Sequence, residues 1–533
     1  MLQTSALAAN FYDILVLLIF SLLTYILYFY ICYFTRSSPL PGPIPLPIIG
    51  NVFSYPGDAD KWAQQLQKKY GDIYEIYLGS ARTVWLNRSD LVQKIMSTSS
   101  ENHFRFRTIE HDGMNDLGMT TKGLFFNRIE EDALYHRKFF AKTIMTPQMG
   151  KDAVDFMQVA FNEMEFFLKD YGCFDESTEI DFAGWMHRLM FEIIIKLTTT
   201  SRVYALTNYY NSLNPSKKTL VPENEFLNTE KFVNSIKKFF DSWVFFLFTI
   251  KIMRGIPGIR RTRKKLLEEK NWYYKSVLEI VKMRRGQIEQ SDRDSLSKDM
   301  LTQFLTVNTT KDVTKGISDE HYRESMSDEA IAGNMIEILG GGTVTTSNTI
   351  CYIIHHVAHY PEVQQRIRQE LDDVLGTDRD SKITFEDLNK LKYCEAVINE
   401  VSRIWPTVPI NLRASTKPDV IGNHKFPANT QFVINQRGIH LHHQNWNNPL
   451  EFNPSRFLTD GESKVHKNAF LMFGGGVKKC PGRNLAMVEM KTMMALIYRK
   501  YDIVLVNHES IKYHYAFVRQ CDEMKVKVRQ RSA

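Results

Sequence analysis

A long hydrophobic segment at residues 14–34 contains no charged residue, and it is preceded by Asp13 and followed by Arg36. A run of this length can cross a bilayer as an α-helix, and it is longer than the hydrophobic part of a signal peptide. The pattern therefore predicts one transmembrane helix, with a cleaved or buried hydrophobic helix as the alternative. The positive charge that follows the segment favours a body on the cytosolic side of the membrane.

Prolines dominate the next segment, with five of them between residues 39 and 47. Proline at this density prevents helix formation and favours a stiff, extended chain. We therefore predict four parts along the chain: a short N-terminal tail at 1–13, the membrane helix at 14–34, a proline-rich hinge at 35–50, and one large domain at 51–533.

Apolar residues recur with a helical period through most of the chain beyond residue 90. Clear examples are residues 153–168, 180–198 and 328–359. Alternating apolar and polar residues at 72–78 and 83–86 predict a β-hairpin, and shorter strand-like pieces occur at 421–426 and 525–528. The predicted fold class is mainly α with small antiparallel β-sheets (α+β).

A second apolar run at residues 239–248 follows a polar, loop-like segment at 207–228. The run is too short to span a bilayer. Two structures remain open for it, namely a buried helix and a surface that dips into the membrane beside a substrate entrance. The basic residues at 260–265 slightly favour the second structure.

The composition limits the functional classes. The chain has 533 residues, of which 44% are hydrophobic and 24% charged, as is typical of a globular protein that can enclose a ligand cavity. Its net charge of +7 is spread along the chain without a long basic stripe, so we expect no nucleic-acid partner. The six cysteines are scattered and form no CxxC pair, which indicates a reducing compartment.

Candidate chemistry is concentrated in residues 473–482, whose sequence is FGGGVKKCPG. The glycines permit a tight turn that brings the backbone close to a flat ligand. Pro481 is suited to the start of a helix, which we predict at 483–499. Cys480 would then lie at a helix N-terminus beside two lysines, and each of these features favours a thiolate that can bind a metal.

Two further patterns accompany this motif. Glu400 and Arg403 are spaced to share one face of a helix, where the simplest interpretation is a surface ion pair. Residues 340–346, GGGTVTT, place a glycine cluster inside the predicted helix 328–359, which is costly and needs a reason. Helix packing is one reason, with the Thr345 hydroxyl satisfied by the carbonyl one turn back.

These residues resemble the cytochrome P-450 superfamily over nearly the whole body of the chain. Four residues match the haem-ligand motif of that family: Phe473, Gly476, Cys480 and Gly482. Lys478 stands where the family usually has Arg or His. The resemblance implies the cytochrome P-450 fold, haem b as the cofactor, and Cys480 as the axial thiolate ligand of the haem iron, which favours O–O cleavage.

The resemblance also implies a structural role for Glu400 and Arg403. In the family this pair is buried and binds an arginine further along the chain, for which Arg456 is the candidate here. A buried triad of this kind supports the core and takes no part in catalysis.

For the glycine cluster, the resemblance implies a local widening of the helix over the haem at Gly341 and Gly342. Thr345 becomes the catalytic residue, whose hydroxyl delivers protons to bound oxygen. The family usually has an acid just before this threonine, whereas this chain has Val344, which cannot relay protons. Protons then come through water, from Glu337 about two turns back, or inefficiently.

Four cations are implied contacts of the haem propionates: His136, Arg137, Arg413 and Lys478. The family's Trp-x-x-x-Arg pattern keeps its arginine here as Arg137 and loses its tryptophan. Six residues are candidates for the cavity wall: Phe104, Phe106, Phe125, Phe126, Ile338 and Pro409. All six are apolar, which implies a lipophilic ligand.

The implied function is that of a haem-thiolate monooxygenase, which inserts one oxygen atom from O2 into a lipophilic substrate. No GxGxxG motif follows a strand, so electrons from NADPH are expected through a partner flavoprotein reductase, with cytochrome b5 as a further candidate. Lys478, Lys479 and Lys491 are candidate contacts for an acidic reductase surface.

The expected location is the endoplasmic reticulum membrane, crossed once, with membrane lipid around the anchor and the catalytic domain facing the cytosol. Two alternatives remain open. One is a reductase-independent isomerase or dehydratase of the same fold, which Val344 favours. The other is a haem-binding protein without catalytic activity.

Overall fold

The computed structural model describes residues 2–79, 81–99, 101–108, 112–144, 146–174, 178–222, 228–249, 251–314, 325–458, 467–506 and 511–531. Part of the predicted loop, residues 223–227, lies outside this range, as does the first residue of the predicted N-terminal tail.

Helices make up most of the described chain. In chain order the α-helices are α1 (Leu2–Phe34), α2 (Ala59–Tyr70), α3 (Asp112–Asp116), α4 (Glu130–Ile144), α5 (Pro147–Asp170), α6 (Phe182–Thr199), α7 (Ala205–Leu213), α8 (Thr229–Phe248), α9 (Pro257–Gln290), α10 (Met300–Thr306), α11 (Asp328–His359), α12 (Pro361–Leu375), α13 (Phe385–Leu388), α14 (Lys392–Ile404), α15 (Gln436–His440) and α16 (Arg483–Lys500).

Short strands form small sheets at the edges of the helical body. The strands are β1 (Ile73–Leu78), β2 (Ala81–Leu86), β3 (Ile180–Asp181), β4 (Ile410–Ala414), β5 (Asp419–Ile421), β6 (His424–Phe426), β7 (Gln431–Asn435), β8 (Tyr501–Leu505), β9 (Lys512–Tyr515), β10 (Arg519–Glu523) and β11 (Lys525–Gln530). They pair in the orders β1-β2-β7-β4, β3-β11-β8, β10-β9 and β5-β6. The predicted fold class is confirmed, and within the largest sheet β2 and β7 pair in parallel.

Helix α11 has the bounds that the sequence predicts, and it lies at the centre of the molecule. Its start is fixed by Ser327, whose side chain accepts the backbone N–H of Ala330, and by acidic residues in the first turn. It packs against α6, in which nearly every side chain is buried. A helix that is apolar on all sides needs such an interior position.

Two sequence predictions are wrong at their edges. The predicted helix 180–198 begins two residues later, because Ile180 and Asp181 pair with β11 as a strand. The predicted loop 207–228 is helical up to Leu213, because α7 buries Tyr209 against Trp185 of α6 at a ring distance of 5.2 Å. Both errors come from contacts with distant parts of the chain, which override local propensity.

The apolar run at 239–248 is the inner face of α8. Phe239, Phe240, Trp243 and Phe246 are buried, so the structure supports the buried helix and not the membrane-dipping surface. The basic residues at 260–265 lie on the mostly exposed first turns of α9.

One helix in the described part of the chain is long and apolar enough to cross a membrane, at Tyr12–Phe34 with a mean hydropathy of 2.5. It is the second part of α1, which begins at Leu2 within the predicted tail. Directly after this helix, the Arg36 guanidinium donates to the Glu75 carboxylate on β1 at 2.8 Å. Arg82 binds the other oxygen of the same carboxylate at 2.7 Å, which ties the end of the helix to the first hairpin.

His514 on β9 joins helix α8 to the hairpin β9–β10. Its Nε2 lies 2.9 Å from the Asp241 carboxylate and its Nδ1 lies 2.6 Å from the Asp522 carboxylate. These hydrogen bonds raise the pKa of His514 to about 9. Because the folded-state pKa lies above the ordinary value of about 6.5, the imidazolium stabilises the folded protein fully below that pH. The contribution is lost as the pH rises through about 9.

We therefore expect the unfolding midpoint of the wild-type protein to fall more steeply than that of His514→Gln when the pH rises from about 6.5 to about 9. Urea unfolding in detergent, followed by circular dichroism, measures the two slopes. If the unfolding midpoints of the two proteins fall equally with pH, the hydrogen bonds of His514 contribute no pH-dependent stability.

Candidate active site

A cavity of about 260 Å³ lies between α8, α11 and the loop that precedes α16. Its apolar walls include Phe125 and Ile338, together with Phe240 of α8 and Phe517 of the β9–β10 hairpin. A few polar groups also line the cavity, namely Thr345, Cys480, two carboxyl groups and several cations. An apolar cavity with a few converging polar groups is typical of a ligand site.

The loop at residues 473–482 closes on itself and presents Cys480 to the cavity. The backbone N–H of Cys480 donates to the Phe473 carbonyl at 2.9 Å. Gly476 has a φ of 65°, and a Cβ there would lie 3.0 Å from the Ser97 carbonyl oxygen, so the turn requires glycine. Helix α16 follows directly, with Gly482 as its N-cap, as the sequence predicts.

The Cys480 side chain is accessible from the cavity although it lies deep in the protein. Burial raises the pKa of the Cys480 thiol, against the opposing effects of the Gly482 backbone N–H, Arg137 and Arg107. The expectation that the neighbouring lysines favour the thiolate is wrong, because arginines from other segments are the cations that act on the sulfur. A bound metal ion would therefore have to displace the thiol proton.

Four cationic side chains gather around one end of the cavity: Arg107, Arg137, Arg413 and Lys478. The Asn411 side-chain oxygen accepts from both Arg107 and Arg413 at 2.7 Å. Arg107 also donates to the Lys478 carbonyl at 3.2 Å, which joins the cluster to the cysteine loop. Arg413 lies directly behind the cavity wall, whereas the other three line it.

No ion pair within the described residues neutralises this cluster, although Glu337 in the same cavity acts on Lys478 and Arg107 electrostatically. Burial, and then repulsion by the neighbouring cations, lowers the pKa of Lys478 to about 7 and that of Arg413 to about 9. The same causes lower the pKa of Arg107. No described carboxylate lies within 4.0 Å of any of the four cations, and Nε of both Arg107 and Arg413 has no hydrogen-bond partner there. Buried, unpaired positive charge is costly, so the cluster is built for an anionic ligand.

Arg107 is a site residue that the sequence prediction missed. It follows a short loop with no recognisable motif, and only the tertiary contact with Asn411 brings it to the cavity. His136 is the opposite case, because it is buried on α4 beside Tyr135 and does not line the cavity. Adjacent residues on a helix point about 100° apart, so the face that presents Arg137 turns His136 elsewhere.

Thr345 lines the cavity, and its hydroxyl donates to the Gly341 carbonyl at 2.6 Å. Helix α11 is continuous through this region. A Cβ on Gly342 would lie 2.8 Å from the Ile194 side chain, whereas a Cβ on Gly341 would meet open space. Gly342 thus serves the packing of α11 on α6, and Gly341 leaves room in the cavity.

Two buried carboxyl groups line the cavity. Glu337 accepts the backbone N–H of Phe125 at 2.8 Å and also that of Leu124, and burial raises its pKa to about 7. Burial raises the pKa of Glu489 on α16 to about 8, although a side-chain hydrogen bond with Thr346 opposes the shift. The sequence analysis missed Glu489. It could have been noticed as an acidic residue within an apolar stretch of the predicted helix 483–499.

The pair Glu400 and Arg403 is fully buried and is not a surface ion pair. Arg403 donates to both carboxylate oxygens at 2.7 and 2.8 Å, and the Arg456 Nε lies 3.3 Å from one of them. The remaining Arg403 hydrogen bonds go to the carbonyls of His440, Pro449 and Glu451. The structure therefore brings the three predicted residues together at the end of α14.

Four candidate wall residues do not line the cavity: Phe104, Phe106, Phe126 and Pro409. Phe104 packs on Phe432 of β7, and Phe106 bridges to β4, because the segment that carries them runs along the sheet.

The prediction that Lys478, Lys479 and Lys491 together contact a reductase is wrong in part. Lys478 belongs to the cation cluster, and Lys491 is buried with its ammonium bound to Glu395. Of the three lysines only Lys479 is exposed, so a docking surface made of all three does not exist.

The comparisons with known proteins agree with this geometry. The family model described as cytochrome P-450 matches residues 40–528. The chain is 26% identical to a steroid 17-alpha-hydroxylase/17,20 lyase of Ictalurus punctatus, covering 87% of this chain and 85% of that protein. It is 25% identical to a cytochrome P-450 93A3 of Glycine max, covering 86% of this chain and 85% of that protein.

The name of a further relative describes two activities. It is a bifunctional cytochrome P-450/NADPH–P-450 reductase of Gibberella moniliformis, 26% identical to this chain. The match covers 92% of this chain, which spans only 41% of that relative.

Proposed function

Because the chain belongs to the cytochrome P-450 family, we propose that it is a membrane-anchored haem-thiolate monooxygenase of a lipophilic substrate, supplied with electrons from NADPH by a flavoprotein reductase. Family membership makes it an oxidoreductase that incorporates oxygen from O2. The observation that carries the proposal is the position of Cys480 in an apolar cavity that also contains buried, unpaired cations.

Haem b fits these residues. It is flat and largely apolar, and it carries two carboxylates. Cys480 is available as the axial ligand, and the cation cluster supplies the positive charge that two propionates need. When bound, the haem supplies the iron at which O2 is reduced and activated.

The side chains have distinct tasks in this proposal. Cys480 would hold the iron as a thiolate, which the Gly482 N–H and Arg137 favour over the thiol. Arg107 and Lys478, which line the cavity, would hold the propionates through charge-assisted hydrogen bonds, and Arg413 would add positive charge from behind the wall. Thr345 holds a hydroxyl proton in the cavity, and Gly341 keeps the space beside it open.

The names of the relatives and the apolar N-terminal helix bear on the partner and the location. Reductase units occur in the names of several relatives, which supports a reductase as the electron donor, with cytochrome b5 as an additional donor. The apolar helix at Tyr12–Phe34 supports a single-pass anchor, for which we propose the endoplasmic reticulum membrane and a cytosolic catalytic domain.

The proposed function is tested by adding an NADPH-dependent reductase to the haem-loaded protein in detergent. We expect NADPH consumption that depends on a lipophilic substrate, found by screening fatty acids, sterols and terpenoids for a spectral shift. A second candidate function, isomerisation or dehydration of peroxides, is favoured by Val344 in the place of an acid. Turnover of a lipid hydroperoxide without reductase, together with no substrate-dependent NADPH consumption, would support that function instead.

For Lys478→Met we expect two opposite effects, a gain in the stability of the haem-free protein and a loss of haem affinity. The substitution removes a buried amine that has no ion-pair partner among the described residues of the haem-free protein, so we expect stability to rise by about 1 kcal/mol. The same substitution removes a propionate contact, so haem affinity should fall by about ten-fold.

Chemical unfolding of the haem-free protein and haem titration measure the two effects. Lys479→Met is the matched control, because Lys479 is the exposed neighbour and should change neither quantity. A loss of stability without any loss of haem affinity would remove Lys478 from the propionate set.

A further inference from the structure

Glu337 lines the cavity, and its carboxyl group is held in one orientation by the loop that precedes α4. One carboxyl oxygen, Oε2, accepts the backbone N–H of Phe125 at 2.8 Å and also that of Leu124. A Cβ on Gly123 would lie 2.5 Å from the same oxygen, so the loop can approach this closely only with glycine there. The carboxyl group is therefore fixed before any ligand binds.

The second carboxyl oxygen, Oε1, is left for a ligand. It forms no hydrogen bond with another residue in the described parts of the chain. The Glu337 side chain lies deep in the protein, yet it is accessible from the cavity. An acceptor that is removed from water without gaining a donor is unfavourable. The cavity thus suits a ligand that donates a hydrogen bond to Oε1.

A path leads from Glu337 to Thr345 along one face of α11. Glu337, Gly341 and Thr345 are spaced four residues apart, and all three line the cavity. A Cβ on Gly341 would meet open space, so the middle turn contributes no side chain to the path. Eight residues of α-helix place the two ends about 12 Å apart. A ligand bound at Glu337 can therefore extend along α11 to Thr345.

The walls beside this path are apolar. Phe125 and Ile338 line the cavity next to Glu337, and the ring of Phe240 lies 3.2 Å from the position of a Cβ on Gly340. Apolar walls with a few fixed polar groups select a ligand that is hydrocarbon over most of its length. The polar group of such a ligand belongs at the Glu337 end.

The charges around Glu337 narrow the choice of polar group. Burial raises the pKa of Glu337 to about 7, against the backbone N–H groups of the loop and the cations Lys478 and Arg107. Near neutral pH both the carboxylate and the acid are then populated. A hydroxyl group can donate to the carboxylate, and it can donate to or accept from the acid. An ammonium group would add a positive charge near Lys478 and Arg107, which is unfavourable.

We propose that the substrate is a long lipophilic alcohol, whose hydroxyl group donates a hydrogen bond to Glu337 and whose chain lies along α11 with the oxidised carbon near Thr345. This inference rests on the proposed monooxygenase function. One turnover converts the alcohol, O2, two electrons and two protons into a diol and H2O, as one C–H bond becomes C–OH. The electrons come from NADPH through the reductase. Glu337 fixes which carbon is oxidised and takes no part in the oxidation.

Matched ligands test this inference without turnover. The haem-loaded protein in lipid nanodiscs is titrated with dodecanol, dodecyl methyl ether and dodecyltrimethylammonium, and binding is measured by equilibrium dialysis. We expect the alcohol to bind at least about ten-fold more tightly than the ether, which cannot donate a hydrogen bond to Glu337. No measurable binding of the alcohol, equal binding of alcohol and ether, or tightest binding of the ammonium compound would each overturn the inference.

Glu337→Gln tests the residue itself. The glutamine carbonyl can still accept the N–H groups of Leu124 and Phe125, while its amide N–H group takes the position of Oε1. An amide N–H donates to an ether as well as to an alcohol, so the preference for dodecanol over its ether should disappear. A folded Glu337→Gln protein that keeps the wild-type preference would overturn the assignment. If this variant does not fold, the comparison of ligands with the wild-type protein still decides.

Two other glutamates serve as controls. Glu489→Gln changes the second carboxyl group of the same cavity and should keep the preference for the alcohol. Glu192→Gln should also keep it, because Glu192 pairs with Arg202 and lies outside the cavity lining. Loss of the preference in Glu489→Gln but not in Glu337→Gln would show that the hydroxyl group binds the other carboxyl group.

The position of oxidation tests the path along α11. With reductase and NADPH, primary alcohols of increasing length should be oxidised at one constant distance from the hydroxyl group, because the separation of Glu337 and Thr345 is fixed. Mass spectrometry of the diols measures this distance. Oxidation at a constant distance from the methyl end instead would overturn binding of the hydroxyl group at Glu337.

The Soret band of the reduced, carbon-monoxide-bound protein separates this inference from the proposed function. A wild-type protein without the thiolate-haem band would contradict the function, whereas dialysis would still measure the preference for the alcohol. A wild-type protein that has the band and consumes NADPH with other lipophilic compounds, but binds dodecanol and its ether equally, would overturn this inference alone.

Discussion

Cys480→Ser is expected to abolish the thiolate-haem Soret band of the reduced, carbon-monoxide-bound protein and with it all substrate oxidation. Loss of residues that merely support a metal ligand costs about 10–100-fold in metal affinity or activity, so loss of the ligand itself should exceed about 100-fold in activity. The hydroxyl of serine is a much weaker donor than a thiolate and does not push electron density to the iron in the same way. Absorption spectra and substrate-dependent NADPH consumption measure the two losses.

Cys173→Ser is the matched control for this substitution. Cys173 is also buried, with 1% exposure, but it lies outside the cavity lining. We expect it to keep the Soret band at reduced stability, since it buries a hydroxyl in an apolar site. A Cys480→Ser protein that retains the thiolate band would remove Cys480 as the ligand and would direct attention to a different cysteine.

Arg403→Met is expected to prevent accumulation of folded protein. The substitution leaves the Glu400 carboxylate buried with Arg456 as its one remaining ion-pair partner in the described chain, and it also removes the donor to three backbone carbonyls. Removing one partner of a buried pair costs about 3–5 kcal/mol. That is a large part of the 5–15 kcal/mol or so that holds a typical domain folded.

Urea unfolding in detergent and the yield of haem-loaded protein measure this effect. Arg403→Lys should be intermediate, because an ammonium keeps the charge but cannot bind both carboxylate oxygens as a guanidinium does. Arg366→Met is the control, since Arg366 is an exposed arginine of α12 near the same region, and its loss should change stability by no more than about 0.5 kcal/mol. Near-wild-type stability of Arg403→Met would show that the buried pair is not what holds α14 in place.

The motif formed by Glu400 and Arg403 predicted a contact between the two side chains but not their burial. The spacing of Glu400 and Arg403 predicts that they meet on a helix, and it equally allows a surface pair. Only the packing of α14 against the segment around Arg456 decides that both side chains have no exposure. The same reasoning applies to His136 and Arg137, where a motif marks a helix but not the face that turns inward.

Local sequence determined those features that depend on neighbouring residues. Periodicity, capping and glycine positions within a few residues account for the bounds of α11, the apolar helix at Tyr12–Phe34, the β1–β2 hairpin and the turn before Cys480. The fold class and the family could therefore be predicted, because the cysteine motif, the Glu400–Arg403 pair and the glycine cluster occur together in one order. The chemical roles of the site residues stay predictions until the variants described above are measured.

Tertiary structure alone decided what the cavity contains. Arg107 is hundreds of residues away from Asn411 and Lys478 in the sequence, and it meets them only in the packed chain. The sequence of α16 did not mark Glu489, and only the packed structure shows it as a buried carboxyl group in the cavity lining. Burial and charge pairing are properties of the packed chain and not of short segments. For that reason the position of Cys480 in a glycine turn before a helix could be predicted from the sequence, while the cations and the buried Glu489 that share its cavity could not.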